Sequence, residues 1–327
     1  MKDKKALFST LVLSSLLAAC GSGGGNDNPT PDTGGTGDTG GIGGDSGGTG
    51  NSVPLEITSS NAKDVASFAT TFLDFGISSS GQAAQAKSGS ASSQARAAFS
   101  FPCTSGGSSS IDGGDGDDQV EVGDYFQFTQ NNCAEPEVDE DTGQNYIETT
   151  NGFFRLEISQ VISENDLGFD YTMDETYTTN HGHSGSAKGG GSATFKLDGN
   201  GGLQANGTMQ FTATFDGESI SFNPLTYAFT QTGSQYTYDY NTTVSGSAIK
   251  GTISVATGPA LTGTVDDEGE DNYPTGGKLT ITGTNSSIVL DANTDDPDTV
   301  LMTIDENGTV TSETISWDDL DDPQPLI

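Results

Sequence analysis

Thr208-Met209-Gln210-Phe211-Thr212-Ala213-Thr214-Phe215 alternates polar and apolar side chains without a break. Period two is the spacing of a β-strand, whose successive side chains point to opposite faces. Met209, Phe211, Ala213 and Phe215 therefore share one face, and the threonines and Gln210 the other. Asp216-Gly217-Glu218 follows as a turn, and the alternation resumes through Ile220 and Phe222, Tyr227 and Phe229, then Tyr236, Tyr238 and Tyr240. Upstream the same pattern groups Val120, Val122, Phe126 and Phe128, then Phe154, Leu156, Ile158 and Ile162, then Leu167, Phe169, Tyr171 and Met173. Downstream it runs through Ile249, Ile253 and Val255, Leu279 and Ile281, Ile288 and Leu290, and Val300, Met302 and Ile304.

Strands joined by turns this short pair antiparallel with their neighbours. The expected fold is mainly β: a large antiparallel meander of roughly ten to fourteen strands, too many for a flat sheet, curled into an open barrel or folded into a two-layer sheet. The second face is rich in Thr, Ser and Asn, and the strands lack the lipid-facing bands and aromatic girdles of a membrane barrel. One N-terminal amphipathic helix should pack on the sheet. Ser59, Ser60 and Asn61 offer N-caps, Val65, Phe68, Ala69, Phe72 and Leu73 recur at helical spacing, and Gly76 stops the run. Residues 78–98, rich in Ser, Ala, Gly and Gln, read as a loop carrying Lys87 and Arg96.

The chain begins with a different kind of signal. Lys2, Lys4 and Lys5 precede an apolar run from Ala6 to Leu17, too short to span a bilayer, and Leu17-Ala18-Ala19-Cys20 closes it. This tetrapeptide resembles the lipobox of bacterial lipoproteins. The resemblance implies export, removal of residues 1–19, diacylglyceryl transfer to the Cys20 thiol, and acylation of the new amino terminus. Residues 20–52 are almost all Gly, Asp, Thr, Ser, Asn and Pro and form a flexible tether behind the lipidated cysteine. Residues 53–327 make the β-rich domain, with a possible internal boundary near 264–274, where Asp266, Asp267, Glu268, Glu270 and Asp271 crowd one loop. Gly21 stands where an aspartate would hold an enterobacterial lipoprotein in the inner membrane, so that analogy implies the outer membrane, facing periplasm or cell surface. The body, with Gly123-Asp124 leading to Asn132-Cys133, then Asn151-Gly152 and the closing stretch from Tyr273 to Trp317, resembles Gly- and Thr-rich lipoproteins of Gram-negative bacteria, a class that brings no activity with it.

Composition excludes several partners. Lys and Arg number 11 against 46 Asp and Glu, a net charge of −35, and cleavage before Cys20 would make the chain more acidic still. Nucleic acid and anionic lipid need basic residues to displace counterions, so the membrane contact is the lipid anchor alone. With Cys20 acylated, Cys103 and Cys133 remain as a pair in an oxidising compartment and are expected to form a disulfide.

Catalytic motifs are missing. Gly-x-Ser-x-Gly patterns fall only in low-complexity tracts, no lysine completes a phosphate-binding loop, and no carboxylate pair stands out. His181 and His183 are spaced to share a strand face, with Asp174 or Glu175 as a distant third ligand, but the flanking Gly-Ser-Lys-Gly-Gly-Gly region reads as an exposed turn. Gly113-Gly114-Asp115-Gly116-Asp117-Asp118-Gln119-Val120-Glu121 fits one copy of a calcium-binding nonapeptide, making Asp112, Asp115, Asp117 and Asp118 a weak calcium candidate. No cofactor is required. The expectation is a non-enzymatic lipoprotein, a tethered binding domain for an apolar or small ligand with Tyr236, Tyr238 and Tyr240 lining a cleft. The alternative is an envelope structural or adhesive module stiffened by calcium.

Overall fold

The computed structural model describes residues 53–70, 99–113, 121–138, 143–163, 165–198, 202–265 and 273–320. The strands in chain order are β1 (Phe99–Pro102), β2 (Ser108–Gly113), β3 (Tyr125–Val138), β4 (Asn145–Ser163), β5 (Asp166–Thr179), β6 (Ser184–Leu197), β7 (Leu203–Phe215) and β8 (Glu218–Thr232). They continue with β9 (Gln235–Gly246), β10 (Gly251–Thr257), β11 (Leu261–Thr264), β12 (Lys278–Thr282), β13 (Ser286–Asp291), β14 (Thr299–Glu306) and β15 (Thr309–Ser316). All belong to one antiparallel sheet of 15 strands, and its two edges, β1 and β15, do not meet. Residues 62–70 form the helix α1.

The topology is the simplest a meander allows: nearly every strand lies beside the one before it. The exception is local. β9 is flanked by β10 along Asn241–Gly246 and by β11 along Gln235–Tyr238, so β10 and β11 act as one strand interrupted at residues 258–260. Two-residue turns enforce the pairing: Asp216-Gly217 and Asn307-Gly308 both have φ > 0 at each residue, the backbone whose twist matches that of flanking strands.

Register carries the apolar face across the molecule. Ile111, Phe128, Phe154, Met173, Gly189, Phe211, Phe222, Val244 and Ile253 are consecutive cross-strand partners from β2 to β10. The parallel row Leu156, Tyr171, Gly191, Met209, Leu225, Thr242, Val255, Ile281, Ile288 and Ile304 runs from β4 to β14. Glycines opposite tyrosines have a reason. Tyr171, Tyr177, Tyr227 and Tyr236 pair directly across strands with Gly191, Gly185, Gly207 and Gly263, and each tyrosine reaches into the space a Cβ would take on its glycine. Each aromatic side chain supplies the packing that its glycine partner lacks.

The segment 53–70 covers the C-terminal part of this face. Leu55 donates its amide to Thr252 (2.9 Å), Thr284 donates to Leu55 (2.7 Å), and Ile57 donates to the Ser286 hydroxyl (2.9 Å). Asn61 Oδ1 accepts from the Thr58 amide (2.8 Å) at the helix start, and α1 then buries Ala62, Val65, Ala66 and Ala69 in the same core as Leu279, Ile281, Ile288 and Met302. Tyr240 Oη donates to the Ala69 carbonyl (2.6 Å), fastening the helix to β9. The expected residues Val65 and Ala69 face the sheet as the spacing requires, and Phe68 is half-buried. Phe72, Leu73 and Gly76 lie outside the described residues.

Two strand expectations need correction. Val122 is not on a strand: it sits 64 % exposed in the turn closed by Gly123 and Asp124, and β3 starts only at Tyr125. Ile162 leaves the face of Phe154, because β4 shifts register after Ile158 and again after Val161, leaving its last residues exposed. In both places strand-like side chains extend past the point where neighbouring strands can cover them.

Candidate functional site

β5 continues its inward alternation past Met173 to Glu175 and Tyr177. Register then fixes what surrounds the carboxyl. Gly152 on β4 and Ala187 on β6 are its direct partners, with Ala213 beyond, and Thr150, Phe154, Met173 and Tyr177 occupy the neighbouring inward positions. Glu175 is 3 % exposed and has no hydrogen-bond or ion-pair partner among the described residues. Burial pushes its carboxyl up to about 7, since nothing nearby compensates for lost water around the charge. Gly152 is required here: its φ is +132° and a Cβ would meet the Glu175 backbone, so β4 and β5 approach closely.

A second carboxyl lies two inward rows closer to the strand ends. Glu148 pairs with Glu135 on β3 and Thr179 on β5. Burial first, and then the charge of Glu137, hold its carboxyl above the ordinary range, while a hydrogen bond with Thr150 pulls the other way. Tyr177, 3 % exposed, lies between these rows, and its ring centroid is 6.3 Å from that of Phe215. Burial is the main cause raising the Tyr177 phenol, followed by the charges of Glu148 and Asp216. Further along β5, the Tyr171 hydroxyl is buried without a partner among the described residues. The inner face of β3–β7 thus combines aromatic walls with carboxyls that change from exposed Glu137 through half-buried Glu148 to buried Glu175.

The disulfide Cys103–Cys133 is present, with Cα atoms 5.4 Å apart. It joins the turn between β1 and β2 to β3 where β3 shifts register between Gln130 and Cys133, and the buried Ser109 hydroxyl contacts both sulfurs. It borders the face just described, because Cys133 pairs with Thr150.

Other expected sites are arranged differently. Asp112 on β2 accepts a hydrogen bond from Tyr125 Oη (3.1 Å), whereas Asp115, Asp117 and Asp118, its partners in the calcium candidate, lie outside the described residues. Cys20 lies outside them too. His181 and His183 are not on a strand face but in the β5–β6 turn. His183 Nδ1 lies 2.8 Å from Asp216 Oδ2 and its ring stacks on Phe215. Asp174 and Glu175 face opposite sides of the sheet, Asp174 pairing with Lys188 at 2.9 Å. The Gly-rich stretch after the histidines is not a turn either; it is the middle of β6. Among the described residues only Cys103, Cys133 and Glu135 bring three metal-ligating atoms together, and both sulfurs are consumed by the disulfide.

Tyr236, Tyr238 and Tyr240 do not line an open cleft. They are 1–2 % exposed, Tyr236 stacks on Phe229 at 6.1 Å, and Tyr238 stacks on Tyr240 at 5.5 Å, so they are core. Glu148 carries no sequence signal of its own, whereas Glu175, expected only as a distant metal ligand, carries one. The signal was there: Glu175 sits where the alternation Leu167, Phe169, Tyr171, Met173 calls for an apolar residue. Comparison with family models, with curated proteins and with solved structures finds no match for this chain.

Proposed function

We propose that the protein is a non-catalytic lipoprotein of the outer membrane, anchored through Cys20, whose β-sheet domain binds a small, partly apolar ligand on the inner face of β3–β7. The observation that carries this reading is Glu175, a buried carboxyl on the inner face among Phe154, Met173 and Tyr177, with no partner among the described residues. Burial makes its charged form costly, and binding sites are where such costs recur. The Tyr171 hydroxyl further along β5 is a second unpartnered group, and the half-buried Leu156 and Phe169 add an apolar surface of the kind ligand sites have. The Cys103–Cys133 disulfide suits an exported protein. The lipobox resemblance and the Gly-rich stretch of residues 21–52 support a domain held clear of the membrane.

Native mass spectrometry of the exported chain, in calcium and in EDTA, tests the reading. A reproducible non-covalent organic mass that survives EDTA supports it. Bare protein that gains calcium and stability together would replace it with the calcium-stiffened structural module.

A further inference from the structure

We draw no further inference here: the strongest candidate, the half-buried apolar surface patch on the inner face of β4–β6 around Leu156, Phe169, Tyr171 and Phe195, carries nothing beyond the binding reading above, because nothing among the described residues shows what covers it.

Discussion

Leu279, Ile281, Ile288 and Met302, pointing inward from β12–β14, are wholly buried, while Leu156, Ile158, Phe169 and Tyr171, pointing inward from β4 and β5, remain half-buried. Both sets obey the same alternation and belong to the same sheet. They differ in their cover. The C-terminal set has residues 55–70 against it, fixed by backbone bonds to Thr252 and Thr284 and by Tyr240 to Ala69, with the Trp317 indole N–H the one buried group there that lacks a partner among the described residues. The set on β4 and β5 keeps a carboxyl and a phenol without partners among the described residues. The covered half holds the fold together, and the half-buried inner face is where the proposed function is placed.

Truncation separates the halves most sharply. Leu279→Ala, at a wholly buried position between Ile253's strand and β13, should cost about 3–4 kcal/mol, the range for a large-to-small change in a packed core. Leu156→Ala, half-buried in the other half, should cost about 1 kcal/mol. Urea denaturation of both variants measures the difference, and equal losses would mean the two halves are equally sealed. Opening the disulfide with Cys103→Ser and Cys133→Ser should cost about 3.5 kcal/mol by the loop-closure argument. Because Cys133 pairs with Thr150 beside Glu175, the loss should fall on the N-terminal half, seen as faster amide exchange in β3 and β4 than in β12–β14.

Next in size is a pH effect. The folded carboxyl of Glu175, raised to about 7 from 4.5, holds its proton more tightly than in the unfolded chain. Stability from this group is therefore greatest below about pH 4.5, falls as pH rises through the interval up to about 7, and stays low above it. Glu148 and Tyr177, the titratable groups facing Glu175, are both raised by burial as well and do not reverse the direction. Glu175→Gln should match the wild type in acid and exceed it by about 2–3 kcal/mol near pH 8. A variant no more stable than the wild type near pH 8 would show that the carboxyl has a partner in solution.

How far these halves could be read in advance depended on the side chains that mark them. β7 was legible because Met209, Phe211, Ala213 and Phe215 alternate with polar residues, and α1 because Val65 and Ala69 keep helical spacing. β6 was not, since Gly189, Gly190 and Gly191 carry no hydropathy signal; it becomes a strand through Tyr171 and Tyr177 of β5, which reach over Gly191 and Gly185. The seal over the C-terminal half was equally hidden, because Leu55 and Thr252 are brought together only by the finished fold. Glu175 lay between. Its place on the apolar face follows from counting along β5, but its burial depends on β4 and β6 closing around it.

The smallest predicted effect makes the cleanest comparison, because one substitution can be placed in each half. Tyr240→Phe deletes a hydroxyl that donates to the Ala69 carbonyl at 2.6 Å, leaving a buried acceptor unmet, and should cost about 1–1.5 kcal/mol. Tyr171→Phe deletes a hydroxyl that is buried without a partner among the described residues, so no bond is lost and an unmet polar group is removed. It should be neutral or stabilise by up to about 1 kcal/mol. The ring and the lost atom are the same in both, so the difference in sign reports the partner that α1 provides to Tyr240. If both changes destabilise equally, Tyr171 has a partner in solution, and the contrast between a sealed and an unsatisfied half is wrong at the position where it is easiest to measure.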